Sequence, residues 1–190
     1  MKRICHVLLV TLGAGLFPFT ASAQETNAYP KSRLENFEAT TGVVLIKGTD
    51  DMAAVPGKLG GVTVKCREAR NAATNLREFG AIVIVTQAEG LEDTTYVDYE
   101  EMDALLRGID YISKVDWSVT SLGQFEAGYT TKAGLRVVTY SSRRSGTIEA
   151  AVVSNRLIKS RCPMTMAQLA QFRTAIDQTK ERIELIQKEK

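Results

Sequence analysis

Histidine is almost missing from this chain of 190 residues, and its one example, His6, lies in an N-terminal segment that we expect to be removed. Without an imidazole, the folded chain cannot build Ser-His-Asp or Cys-His catalytic arrangements or a histidine-ligated metal site. Cysteine is scarce as well, and only Cys66 and Cys162 lie beyond that segment. Two distant cysteines form neither a C-x-x-C redox motif nor a four-cysteine zinc site. No glycine-rich phosphate-binding motif is present, so we predict no cofactor and no metal.

The first 23 residues have the three parts of a secretory signal peptide. Lys2 and Arg3 are basic, residues 4–19 are mainly apolar, and residues 21–23 are the small residues Ala-Ser-Ala. Two glycines and a proline interrupt the apolar run before it reaches the ~20 residues of a membrane-spanning helix. We therefore expect 1–23 to be a signal peptide and the protein to be exported by a bacterium, into the periplasm or the medium, with no membrane span in the mature chain.

Charge of either sign is not in excess. Removal of Lys2 and Arg3 from the 24 basic residues leaves them equal in number to the 22 acidic ones. A neutral chain exerts no strong long-range attraction on nucleic acid or anionic lipid, which argues against nucleic acid as the partner. In an exported protein Cys66 and Cys162 can form a disulfide that closes a long loop. The alternative is two unlinked thiols, with Cys66 acting as a small hydrophobe in a strand.

The remaining sequence predicts one α+β domain at about 34–188, after a flexible polar leader at 24–33. Strands are predicted from Thr, Val and Ile content and from period-two alternation, with a loop where Gly, Pro and Asp concentrate. The predicted strands of the first half are 37–47, 62–67, 79–87 and 94–97, with a loop at 48–61. A helix follows, with Asp98 as its cap and apolar residues at helical spacing as far as Ile112.

The second half repeats this order. Its predicted strands are 119–130, 135–141, 147–153 and 156–160, and a helix at 165–188 follows, capped by Thr165 and Gln168. Each half begins with a similar hexapeptide, LENFEA at 34–39 and LGQFEA at 122–127, and the two helices share an Ile-Asp pair. We therefore predict an internal duplication, ββββα-ββββα, with halves 34–116 and 119–188, antiparallel sheets and two helices.

Two consecutive ββββα units resemble the whirly and PUR-repeat families. The paired units of those families pack two sheets with helices alongside and bind single-stranded nucleic acid. The resemblance is one of topology, since the KGKAAL signature of the plant whirly proteins is absent. It implies a fold, and no binding residue of those families carries over to this chain.

Carboxylates are the remaining groups for acid-base catalysis, and Glu38 and Glu126 repeat with the hexapeptides. One hypothesis pairs them on a concave sheet surface as the catalytic residues of a hydrolase. The other makes them surface residues, each paired with a lysine or arginine on a neighbouring strand. Basic and aromatic residues also fall on predicted sheet faces and tips, a combination that single-strand nucleic-acid binders use. The candidates for such a binding surface are Lys65, Arg67, Tyr129, Arg136, Tyr140, Arg143 and Arg144.

The end of the second helix is mostly charged, but Ile183 and Ile186 keep a spacing that a partner helix can cover. A homodimer through 165–188 is one hypothesis, and packing of these two residues on the protein's own sheet is the other. Taken together, the sequence favours an exported, non-enzymatic binding or interaction module with a protein or small-ligand partner. The alternatives are the carboxylate-based hydrolase and the single-stranded nucleic-acid binder.

Overall fold

The computed structural model describes residues 29–88, 90–142, 146–156 and 159–189. The predicted signal peptide, the first part of the leader at 24–28, and the candidates Arg143 and Arg144 lie outside these residues. Among the helices of the described part, none is both long and apolar enough to cross a membrane.

A short helix comes first, and the described chain then runs twice through four strands and a helix. The elements are α1 (Arg33–Glu38), β1 (Leu45–Pro56), β2 (Gly61–Asn71), β3 (Arg77–Thr86), β4 (Glu92–Asp98), α2 (Met102–Ile112), β5 (Glu126–Thr130), β6 (Leu135–Ser142), β7 (Thr147–Ser154), β8 (Ser160–Met164) and α3 (Met166–Lys188). Single 3-10 turns lie at Tyr99–Glu101 and Trp117–Val119.

The strands form two antiparallel sheets in which neighbours in sequence are neighbours in space. The first sheet has the order β1-β2-β3-β4 and the second has the order β5-β6-β7-β8. The predicted α+β class, with two sets of four strands each followed by a helix, is confirmed. The number of helices is not, because α1 is an additional helix whose last two residues fall in the strand predicted at 37–47.

One apolar face of each sheet contributes to a shared core. In β2, Val62, Val64 and Cys66 are buried and alternate with more exposed residues, as a strand with one covered face requires. Helix α3 contacts β1, β2 and β3 of the first sheet and β7 and β8 of the second, while α2 packs on β5 and β6. The buried apolar side chains of these two faces and of both helices form one continuous cluster, and Val138, Ala151 and Val153 form a small separate cluster on the other face of the second sheet. The opposite face of each sheet, called its outer face below, carries Lys65 and Arg67 on the first sheet and Glu126, Arg136 and Tyr140 on the second.

The two hexapeptides do not adopt the same structure, which corrects the prediction that each begins a strand. LENFEA lies in α1, whose N-terminal N–H groups are satisfied from outside the helix. Ser32 Oγ accepts from Glu35 N at 3.0 Å, and the Asp98 carboxylate accepts from the backbone N–H groups of Arg33 and Leu34 at 2.8 and 3.0 Å. In LGQFEA the side-chain acceptors are placed differently, since Leu122 N donates to Thr120 Oγ1 at 3.2 Å and Phe125 N donates to Ser141 Oγ at 2.9 Å. Gly123 in place of Glu35 also lowers its helix propensity. It enters β5 only at Glu126.

The predicted loop at 48–61 is also corrected, because most of it belongs to β1. Residues 46–51 are all exposed, so Gly48, Asp50 and Asp51 occupy strand positions without any cost of burial. Strand β1 lies at an edge of its sheet, where proline is tolerated, and Pro56 is its last residue. Composition indicated a loop here because an exposed edge strand lacks the apolar alternation of a half-buried one.

Cys66 and Cys162 are both buried, and both are free thiols, so the disulfide is not formed and the alternative of two unlinked thiols describes the structure. Burial raises the pKa of the Cys66 thiol to about 11 and also raises the pKa of Cys162. Both observations make these cysteines poor nucleophiles in the folded protein.

We therefore expect a thiol reagent such as DTNB to label the native protein very slowly at pH 8. A thiol with a pKa near 11 is about a hundredfold less ionised at this pH than one with a pKa near 9, before its steric protection is counted. Denaturant should release two fast-reacting thiols per mature chain. Rapid labelling of native Cys66, read by mass spectrometry, would contradict its burial.

Helix α3 packs the two isoleucines near its end on the core. Ile183 is fully buried, and Ile186 is partly buried against the same core. Arg182 Nε reaches Asp50 Oδ2 of β1 at 2.9 Å and holds this end of the helix on the first sheet. Packing on the protein's own sheet is thus observed for both isoleucines, and a homodimer through 165–188 stays a prediction.

Candidate functional site

Glu38 ends α1 above the outer face of the first sheet. Leu34 of the same helix packs against Gly80, on the side of β3 opposite to the core residues Ala81 and Val83. The Glu38 side chain is only 8% exposed. Its Oε2 accepts from Lys47 Nζ at 2.7 Å, and its Oε1 forms an ion pair with Arg67 Nε at 2.9 Å.

Further polar contacts hold α1 in this position. Arg33 bridges Glu78 and Glu100 at 2.7 and 2.8 Å, and Glu35 pairs with Arg156. Burial, followed by the nearby charge of Glu38, raises the pKa of Tyr96 beneath the helix. The carboxylate of Glu38 is therefore engaged by two cations under a helix rather than open to a substrate.

Glu126 lies on the other sheet. It is on the outer face of β5, its side chain is 42% exposed, and it pairs with Arg136 of β6. The two repeated glutamates are thus on outer faces of different sheets, one covered and one open. Each has the arginine partner that the surface-residue hypothesis predicts.

The basic and aromatic candidates are divided in the same way. Lys65 lies with Arg67 on the outer face of the first sheet and pairs with Asp51 at 2.9 Å. Arg136 and Tyr140 lie on the outer face of β6, where the guanidinium of Arg161 stands 4.7 Å above the Tyr140 ring. The structure therefore does not unite these side chains on one basic surface.

Tyr129 does not belong to either outer face. Its ring packs on Gly108 of α2, where an added Cβ would lie 2.6 Å from ring atoms, and burial raises the pKa of its hydroxyl. Tyr129 therefore packs between β5 and α2, and its role as a stacking group for a base stays a prediction. Among the described residues, no group of three or more Cys, Asp or Glu side chains is arranged to hold a metal ion.

An apolar surface that the sequence did not predict lies between α2 and β5. Tyr111 is 71% exposed, Trp117 47%, Val119 48% and Leu122 74%. We call these four residues the α2–β5 surface. Tyr111 and Val119 line an open groove of about 320 Å³, together with Lys114, Val115, Asp116 and Ser118.

Local contacts give this surface its shape. The Asp116 carboxylate accepts from the backbone N–H of Ser118 at 2.8 Å and begins the 3-10 turn that carries Trp117. The Trp117 ring meets Phe125 edge to face, with centroids 5.8 Å apart and planes at 81°. Such pairs are favourable beyond their buried area, so the indole is held in place although about half of it is exposed.

No protein-family model and no curated protein sequence matches this chain.

Sequence reasoning missed the α2–β5 surface because residues 119–130 were predicted to be a strand, in which alternate apolar residues face a core. One signal was available. Trp117 is the only tryptophan of the chain, and it lies between a finished helix and a polar stretch that offers it no sheet partner.

Proposed function

We propose that this protein is an exported, non-enzymatic interaction module that binds a protein partner through the α2–β5 surface. The observation that carries the proposal is the exposure of Tyr111, Trp117, Val119 and Leu122 along one short connection. Exposed apolar side chains are common singly, but four of them within 111–122, two of which line a groove together with polar residues, favour a protein-protein contact.

The residue types support a protein as the occupant. Tryptophan and tyrosine dominate the residues whose truncation costs most at protein interfaces. The rim contains Lys114 and Asp116, which have opposite charges, so the surface does not select a strongly charged ligand. The groove is open and near the lower end of small-molecule pocket volumes, a size that accommodates an aliphatic or aromatic side chain from a partner.

The carboxylates support the non-enzymatic part of the proposal. Glu38 and Glu126 are held in separate ion pairs on different sheets, so we assign neither of them a catalytic role. The aromatic face of Tyr140 is occupied by Arg161, and Arg136 is neutralised by Glu126, so we assign no nucleic-acid surface to the second sheet.

We also infer that the two ββββα units are copies of one ancestral unit with whirly- or PUR-like topology. Both sheets have the same strand order, and each is followed by a helix with a buried isoleucine, Ile109 or Ile176. The aspartates that follow these isoleucines meet at one side chain, since Arg173 pairs with Asp110 at 2.9 Å and with Asp177 at 2.8 Å. The hexapeptides give no support, because one is helical and the other is not.

The test measures partner capture by the immobilised mature protein from extracellular or periplasmic extract of its own source. We expect Trp117→Ala and Leu122→Ser each to reduce the recovery of one specific protein about tenfold, the effect of losing ~1.4 kcal/mol at an interface. Quantitative mass spectrometry provides the readout, and circular dichroism checks that each variant is folded.

Matched controls come from two other exposed leucines, Leu59 and Leu185, which lie outside this surface. Leu59→Ser and Leu185→Ser should leave recovery unchanged. A photo-crosslinking residue at position 119 should label the captured protein, whereas one at position 174 on α3 should not. Equal capture by all four variants would exclude this surface as the binding site.

A further inference from the structure

Strand β1 is unusually long for a strand at the edge of a sheet. It has 12 residues, about twice the usual length, and within the described residues it pairs only with β2. Residues 46–51 are all exposed. An edge of this kind presents a row of unpaired backbone N–H and C=O groups, which is a template for another strand.

The features that usually protect an edge strand against further pairing, here a bulge and a proline, lie at the C-terminal end of β1. Pairing with β2 is regular from Leu45 to Asp51, and a bulge at Met52 then shifts the register before Ala53. The strand ends at Pro56. In the regular part, the single lysine is Lys47, and its ammonium group is held over the outer face by Glu38 rather than guarding the edge. The stretch from Leu45 to Asp51 is therefore open.

We propose that a second copy of this chain occupies this edge, with the two β1 strands antiparallel about a two-fold axis through Thr49. The pairing joins the two first sheets into one continuous sheet. It does not involve the α2–β5 surface, so it stands independently of the proposed function.

Backbone geometry restricts the registers that two identical β1 strands can adopt. Along a regular edge strand, successive residues alternate in directing their N–H and C=O groups toward β2 or away from it. In an antiparallel pair, residues directly opposite each other either exchange both hydrogen bonds or exchange none. Each residue must therefore face one that lies an even number of positions away in the sequence. The two-fold axis then passes midway between one residue and the same residue of the other copy, and we name the axis by that residue. The outer faces of both copies lie on the same side of the joined sheet.

Charge selects one of these registers. An axis through Lys47, Asp50 or Asp51 would place that charge directly against its own copy, which is destabilising. An axis through Gly48 would place the aliphatic side chains of Leu45 and Ile46 opposite aspartates. An axis through Leu45 or Ile46 would leave too few regular residues in the pair.

An axis through Thr49 avoids all of these conflicts. It places Lys47 of each copy opposite Asp51 of the other, and Gly48 opposite Asp50, which avoids a like-charge contact. Lys47 and Asp51 both project from the outer face, where Lys47 already pairs with Glu38 and Asp51 with Lys65. The new contacts would extend these two ion pairs into one network that crosses the axis twice. This self-complementarity identifies the occupant as a second copy rather than an unrelated strand.

The register is tested by cysteine cross-linking of the mature full chain. Thr49→Cys places two thiols directly across the axis, where the Cα separation of ~4.5–5.5 Å suits a disulfide. We expect Thr49→Cys to form a linked dimer on mild oxidation, while the parent chain forms none, because Cys66 and Cys162 are buried. Lys47→Cys alone should not link to itself, because its two copies lie about 14 Å apart in this register. A mixture of Lys47→Cys and Asp51→Cys chains should form only the mixed dimer.

The affinity is tested by sedimentation velocity over a range of concentrations. Asp51→Lys should weaken the dimer about tenfold, since it faces Lys47 of the other copy twice. Glu181→Lys makes the same change of charge at an exposed position of α3 and should leave the dimer intact. Self-linking of Lys47→Cys would overturn the register. A monomer at ~100 μM with no linking of Thr49→Cys would overturn the dimer; that concentration corresponds to an association of ~5.5 kcal/mol.

Discussion

Replacement of Phe172 by alanine should lower the free energy of unfolding by about 3–5 kcal/mol, the largest single loss that we expect in this protein. Phe172 is fully buried on α3, and that helix contacts strands of both sheets. Its removal would leave a cavity where the sheets and α3 meet, and a packed interior closes such a cavity only in part. Because native proteins are stable by about 5–15 kcal/mol, the variant is expected to be close to unfolded.

Chemical denaturation followed by tryptophan fluorescence measures this effect, with Trp117 as the single reporter. Gln171→Ala is the matched control, since this neighbour on the same helix is exposed and should change stability by less than about 0.5 kcal/mol. Phe172→Leu should lose less than the alanine variant because it leaves a smaller cavity. A loss below about 1 kcal/mol for Phe172→Ala would show that α3 is not the element that joins the two sheets.

The parts of the fold that could be predicted are those whose signals are local. Helix α3 begins at Met166 after a capping box in which Thr165 Oγ1 accepts from Gln168 N and the Gln168 side chain accepts from Thr165 N. Both partners of that box lie within four residues, so the sequence displays it. The hairpin of β6 and β7 was predicted within a residue of its observed ends, because its strands are strongly apolar.

The parts that could not be predicted depend on distant partners. Helix α1 has six residues, too few for a stable isolated helix, and its N-terminus is capped by Asp98 from another element. The sequence indicated Asp98 as the cap of the following helix, but no cap hydrogen bond of that kind is formed there. The sequence shows that residue 98 is an aspartate, but it does not show which backbone N–H groups will donate hydrogen bonds to that side chain.

The same limit applies to the candidate sites. Charged residues on alternate strand positions predicted that Lys65, Arg67 and Arg136 would lie outside the core. The structure places Lys65 and Arg67 on the outer face of the first sheet and Arg136 on the outer face of the second. Their acidic partners were not predicted, because the partners come from other strands or from α1. Strand β1 was not predicted over 48–56 for a related reason. An exposed strand lacks the alternation of apolar and polar residues by which strands are recognised.

The repeated glutamates should respond very differently to the same substitution. Glu38→Ala should cost about 3 kcal/mol, because it leaves the largely buried guanidinium of Arg67 without its counter-charge beneath α1. Glu126→Ala should cost about 1 kcal/mol or less, because its pair with Arg136 is exposed to water and weak for that reason.

Urea denaturation of the two single variants measures this difference, and each position acts as the control for the other. Glu38→Gln separates charge from shape, since the amide oxygen still accepts a hydrogen bond from Lys47. The free energy of unfolding of this variant should lie between that of the parent and that of Glu38→Ala. Equal losses at positions 38 and 126 would mean that the two glutamates are equivalent, as the matching hexapeptides first implied. Unequal losses would assign the difference to α1, which covers one glutamate and has no counterpart over the other in the described chain. Glu38 is held in place by its burial and by two cations, whereas Glu126 is held only by Arg136 on the adjacent strand.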